Sequence, residues 1–216
     1  MEIFPQFIPK LKQRLQEPLP GLDVQMRMVP GDRDRGDKIN IPDNARKAAV
    51  MLLLYPHENK FHIPFIQRAE DGRVHGGQIS FPGGSHDKTD PDFEFTALRE
   101  VEEEIGVQRD RIEVLGPISP IYIPPSNFIV ETFVGVIEER PMFKPDPVEV
   151  ARVVEIEVEE FRKPENIGIH RVDVFAGNFI DAPGYTPYGS NLIWGGTSMI
   201  IAEFMEIVEQ VKSLSR

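Results

Sequence analysis

Three glutamates, Glu100, Glu103 and Glu104, stand at i, i+3 and i+4 within the run ALREVEEEIGV. On a helix turning about 100° per residue they share one arc, which we read as lying away from the apolar arc of Ala97, Leu98, Val101 and Ile105. Like charges at this spacing cost an isolated helix about 0.2–0.5 kcal/mol per pair. The default reading of such a triplet is a solvated face. The alternative is a site for a hard divalent cation, Mg²⁺ or Mn²⁺, whose preferred donors are carboxylate oxygens. Arg99 sits where it can brace a neighbouring carboxylate. Asp90 followed by Pro91 makes a helix start, with Asp90 as N-cap, and Gly106 suits the left-handed position past the end.

Upstream lies the turn Ser80-Phe81-Pro82-Gly83-Gly84-Ser85-His86-Asp87, whose backbone oxygens can stand beside the helix. Gly76, Gly77, Gly83 and Gly84 serve turns and close approach; no Gly-Lys-Ser/Thr follows, so this is not a P-loop. Asp87, Asp90 and Asp92 lack the order and the closing glutamate of a calcium-binding EF-hand. Arg68 and Arg73 offer planar forks that match phosphate oxygens, and His75 can hydrogen-bond a phosphate. Their bland alternatives are surface ion pairs with Glu70 or Asp71 and, for His75, a structural role in a glycine-rich turn.

These groups need a scaffold. AAVMLLLY, residues 48–55, is an apolar run of strand length, and PHENK turns it toward the strand FHIPFIQR. A short strand spans residues 78–81, and further strands are expected near 112–118, 128–137 and 151–158. Apolar spacing predicts a short N-terminal helix from Phe7 to Leu15 and a last helix within 191–214, with Ile200, Ile201, Phe204, Ile207, Val208 and Val211 on one side. Residues 31–44 read as a loop. Strands interleaved with helices give an α/β class with a mixed sheet, and 216 residues suit one domain, 1–216, with a helical arm over about 1–30.

Composition narrows the partners. A formal net charge of −11 repels nucleic acid and anionic membrane surfaces on average, so neither is expected. The absence of cysteine excludes disulfides, thiolate metal sites and a cysteine nucleophile, and points to a reducing cytoplasm. No run has the length or apolarity to span a bilayer.

Residues Gly84 to Val107 resemble the Nudix box, G-x5-E-x7-R-E-U-x-E-E-x-G-U with U aliphatic. Its second half is present as Arg99-Glu100-Val101-Glu102-Glu103-Glu104-Ile105-Gly106-Val107. The first half departs: Gly84 is one residue farther from Arg99, and Pro91 takes the place of the first glutamate, with Asp90 or Asp92 as candidate replacements. Arg68-Ala69-x3-Arg73-x3-Gly77-x3-Phe81-Pro82-Gly83-Gly84 is similar to the motif of coenzyme A diphosphatase-like Nudix hydrolases. Ile193-Trp194-Gly195 and Thr197 extend the likeness loosely.

The resemblance implies a Nudix α/β/α sandwich and metal-dependent cleavage of a diphosphate, most naturally in coenzyme A or its thioesters, giving 3′,5′-ADP and a 4′-phosphopantetheine species. By the resemblance, Glu103 and Arg99 are catalytic, Glu100, Glu103, Glu104 and Gly84 hold Mg²⁺ or Mn²⁺, and Arg68, Arg73 and His75 bind substrate. The base is a box glutamate or a later one such as Glu149. The alternatives are an ADP-ribose or other nucleoside-diphosphate-sugar diphosphatase, or a noncatalytic ligand sensor. Expected partners are a small nucleoside-diphosphate substrate and, where the chain self-associates, a second copy in a homodimer.

Overall fold

The computed structural model describes residues 3–30, 40–70, 76–175 and 177–213. Its centre is β1 (Arg46–His57), longer at both ends than its apolar run. Glu58 and Asn59, both with positive φ, form the two-residue turn into β2 (Lys60–Arg68). Left-handed residues at both turn positions match the twist of the flanking strands. The chain continues through β3 (Ile79–Ser80), β4 (Gly83–Ser85), helix α3 (Phe93–Ile105), β5 (Glu113–Ile123), β6 (Phe128–Val136) and β7 (Val150–Glu157). These strands build one seven-stranded sheet in which β1 runs parallel to β6 and antiparallel to β2 and β4.

Both faces of this sheet are covered, which is why β1 is apolar without a polar alternation. Ala48, Leu52 and Leu54 point into one core, with α4 (Gly196–Ser213) and the N-terminal helix α1 (Ile3–Arg14) above them. Ala49, Met51, Leu53 and Tyr55 point into the other, against Ala97, Val101 and Ile105 of α3. The result is an α/β/α sandwich with a mixed sheet, as the sequence implied.

Several features differ from the sequence reading. The N-cap of α3 is Asp92, not Asp90: Asp92 Oδ1 accepts the N–H of Phe95 at 2.8 Å, which frees Asp90 for another task. α4 begins at Gly196, and Ile193–Trp194 is instead a short strand, β10, paired with Tyr185 and Gly184. A second sheet, β10-β9-β8, made with β8 (Ile167–Phe175) and β9 (Asn178–Tyr185), was not read from the sequence. Glycine and proline interrupt its apolar alternation in IGIHRVDVF and NFIDAPGY.

The arm is tied down by a fully buried carboxylate. Glu203 on α4 accepts the N–H of Gly21 at 2.9 Å and Gln25 Nε2 at 2.7 Å, where Gln25 ends the short helix α2 (Leu22–Gln25). Arg14 of α1 donates from Nε and Nη2 to Gln210 Oε1 at 2.9 and 2.6 Å. Residues 31–39 of the expected loop lie outside the described residues. Among the described residues no helix is long and apolar enough to cross a membrane.

Candidate active site

α3 lies across β1 and β4, and this crossing assembles the acidic residues. Gly83 and Gly84 pair with Val50 and Ala49, so the backbone of the glycine turn is part of the sheet and lies under the helix. A Cβ on Gly83 would come within 2.4 Å of Ala49 O, and one on Gly84 within 2.5 Å of the Glu100 carboxyl carbon. At Gly83 the clash is with backbone, so only glycine fits; at Gly84 it is with the end of the Glu100 side chain, which would have to move.

The triplet does not share one exposed arc. Glu104 is 2% exposed, whereas Glu103 is 59% exposed. The reason is helical geometry: Glu104 stands seven residues, or about two turns, after Ala97, on the stripe that faces the sheet. Its Oε2 accepts the N–H of Gly83 at 2.8 Å, and its Oε1 lies 3.7 Å from Arg68 Nη1. Burial pushes the Glu104 carboxyl up to about 8, with the Gly83 amide and Arg68 opposing it and the charges of Glu100 and Glu149 adding to it. Burial also raises the Glu100 carboxyl, against the pull of Arg99.

Arg99 gathers the rest. Its Nη1 donates to Glu100 Oε1 and to Glu103 Oε2, both at 2.8 Å, and its Nη2 reaches the carbonyl of Ser85 at 3.3 Å. Its Nε and Nη2 donate to the two oxygens of Asp90 at 3.1 and 3.0 Å. Asp90 also accepts from Thr96 Oγ1 at 2.9 Å and from its neighbour's backbone at Asp87, 3.2 Å away. The Arg99 guanidinium is the main reason the Asp90 carboxyl falls to about 2. Of the two candidate replacements for the box's first glutamate, Asp90 is therefore the one that reaches Arg99, while Asp92 caps the helix.

Glu149 is exposed in the segment leading into β7, and its backbone carbonyl accepts the N–H of Ala69, next to Arg68. Arg73 and His75 lie outside the described residues. Two contributors escaped the sequence reading: Thr96, fully buried and bonded to Asp90, and His86, whose Nδ1 is 2.8 Å from Thr96 Oγ1 and whose ring packs on Phe93. Thr96 was legible only as a polar residue beside the apolar stripe, which is a weak signal.

Among the described residues no three His, Asp or Glu side chains converge as a ready cage for a metal ion. Arg99 occupies the space between Glu100 and Glu103. The donors nonetheless suit a hard cation. Glu104 is buried and Glu100 half-buried beside a glycine backbone that leaves them room, and Arg68, the cation facing Glu104, stands beyond hydrogen-bond distance.

A NUDIX domain profile matches residues 45–176, which contain the sheet, the glycine turn and α3. The chain belongs to the Nudix hydrolase family. It is accordingly a pyrophosphohydrolase acting on diphosphate substrates, in a family that generally uses divalent metals and binds small nucleotides. A protein of Photorhabdus laumondii named as the uncharacterised Nudix hydrolase NudL is 31% identical over 169 residues, 78% of this chain and 88% of that one. The chloroplastic Nudix hydrolase 22 of Arabidopsis thaliana is 30% identical over 76% of this chain and 56% of its own. The crystal structure of the Nudix hydrolase RenU from M. smegmatis superposes with a TM-score of 0.54, at 16% identity, over 77% of this chain and 87% of that one. That likeness supports the Nudix fold.

Proposed function

We propose that this Nudix hydrolase cleaves the diphosphate of coenzyme A or a coenzyme A thioester, releasing 3′,5′-ADP and a 4′-phosphopantetheine species. The observation that carries this reading is the meeting of the two motifs: Arg68, at the head of the upstream motif, lies 3.7 Å from Glu104 in the box, and Gly83, at its tail, donates to the same carboxylate. The substrate class rests on the resemblance of the Arg68-to-Gly84 motif to the coenzyme A diphosphatase-like group.

In this reading Glu100, Glu103 and Glu104, with the Gly84 backbone beside them, hold Mg²⁺ or Mn²⁺. The bound cation supplies neutralisation of the diphosphate oxygens and activation of the attacking water. Arg99 orients Glu100 and Glu103. Glu103 and Glu149 are the two candidate proton acceptors, one on the helix and one on the segment before β7. Arg68, together with Arg73 and His75, binds the anionic substrate. A chain without cysteine suits a cytoplasmic setting.

The test is kcat/KM for coenzyme A, dephospho-coenzyme A and ADP-ribose under one metal condition. A charge-assisted contact to the 3′-phosphate is worth about 1.5–3 kcal/mol, so coenzyme A is expected to lead by ~10- to 100-fold. ADP-ribose hydrolysed as efficiently as coenzyme A would replace this reading with a nucleoside-diphosphate-sugar diphosphatase. Binding of nucleotides without turnover of any substrate would favour a ligand sensor.

A further inference from the structure

The small sheet ends in β8, which among the described residues pairs only with β9. Alternate residues of β8 are exposed: Ile167, Ile169, Arg171 and Asp173 face outward, while Val172 is buried on the other side. Ile169 is 68% exposed and Ile167 46%, on the same face as Phe179 of β9. An edge strand also presents a free row of backbone N–H and C=O groups along its open side. Neither proline nor lysine interrupts β8, and the charges it exposes are those of Arg171 and Asp173.

The two charges on this edge are self-complementary. Arg171 stacks on Phe179 at 5.0 Å, and among the described residues neither Arg171 nor Asp173 makes an ion pair. We propose that β8 is the dimer edge of this protein: two copies join β8 to β8 antiparallel about a twofold axis at Val172, with Arg171 of each copy directly opposite Asp173 of the other. The twofold axis and the period-two pleat leave a small set of registers, because residues opposed across an antiparallel pair point to the same face. Moving the axis by one residue toward either end sets Arg171 against Arg171 or Asp173 against Asp173, and like charges directly opposite are destabilising. The Val172 register instead makes the opposite-charge pair twice. It also places the strand of the other copy alongside exposed Ile169. The register shift of the β8–β9 hairpin falls after Asp173, beyond the pairs that set this axis. This edge is formed by β8 and β9, apart from the carboxylates on α3, so the inference stands whether or not the proposed substrate is correct.

The experiment is sedimentation equilibrium of the full chain across micromolar concentrations. Wild type is expected to show a reversible monomer–dimer equilibrium. Arg171→Asp and Asp173→Arg are each expected to raise the dimer dissociation constant at least tenfold, because each sets like charges against one another. The double variant Arg171→Asp with Asp173→Arg restores opposite charges in the same register and is expected to return to within about threefold of wild type. Ile169→Lys, which blunts the edge without touching the charge pair, is expected to weaken the dimer as well. A wild type that stays monomeric at several hundred micromolar overturns the proposal, as do single variants that dimerise like wild type. Weakened singles without rescue in the double variant overturn the Val172 register.

Discussion

Arg99 and Asp90 meet edge to edge, with Nε on Oδ1 at 3.1 Å and Nη2 on Oδ2 at 3.0 Å, so the guanidinium plane is fixed before it meets any glutamate. A bidentate fork of this kind adds directional constraint to its energy. The remaining nitrogen, Nη1, then has one direction to point, and that direction holds Glu100 and Glu103. Asp90 thus acts on the acidic patch through Arg99.

Asp90→Asn removes the charge and keeps the shape. Turnover is expected to fall about tenfold or more as Arg99 loosens, with KM changing less than kcat. The same pair predicts acid behaviour. The Asp90 carboxyl is depressed from 3.8 to about 2, so its stabilising contribution is fully present above about pH 4 and is lost as pH falls through 2. The difference in urea midpoint between wild type and Asp90→Asn should therefore be constant near neutrality and should shrink between pH 4 and pH 2.

Glu103→Gln is expected to lower turnover by ~10²-fold or more, about 2.7 kcal/mol of barrier, without loss of folding. Glu102→Gln serves as the geometric control. Glu102 faces Arg109, 3.5 Å away, and not Arg99. Equal losses in the two variants, assayed at saturating metal, would show that general acidity and not placement matters.

Gly84→Ala tests the close approach of turn and helix. The new Cβ would lie 2.5 Å from the Glu100 carboxyl carbon, and the Gly84 backbone is held by its pairing with Ala49, so Glu100 must give way. Steady-state kinetics should show at least a tenfold loss in kcat/KM while circular dichroism remains that of wild type.

Glu203→Ala is expected to cost about 3 kcal/mol of stability, because it strands the Gly21 amide and reduces the partners of Gln25 in a buried place. The loss should be read by urea denaturation. Limited proteolysis should cut first within the arm, and kcat per folded molecule should be unchanged, since α4 lies on the opposite side of the sheet from α3.

What the sequence disclosed and what it hid follow from the range of the forces involved. α3 was legible because its signals are local: an apolar stripe, an acidic cap at one end and Gly106 with φ +71° at the other. The strand β1 was legible from its unbroken apolar run. The choice between Asp90 and Asp92 was not, since an aspartate caps a helix or binds a distant arginine according to a few ångströms of loop geometry. Glu104 was misplaced because charge suggested exposure, although its spacing of seven from Ala97 already put it on the sheet-facing stripe. The β8–β9 hairpin hid behind Gly168, Pro183 and Gly184, where pairing overrides weak local preference.

β1 is flanked by β4 on one side and by β6 on the other, and the parallel register from Arg46↔Phe128 to Leu54↔Val136 spans the whole of α3 in sequence. During synthesis, the turn carrying Gly83 and Gly84 therefore leaves the ribosome long before the strand that closes the other side of β1. A nascent chain that ends before β6 exposes the far edge of its most apolar strand. Closing that long loop must be paid in chain entropy before native contacts return it, which makes this step slow. β1 gains its last partners, Val136 and Ile137, only after the whole of α3 has been made.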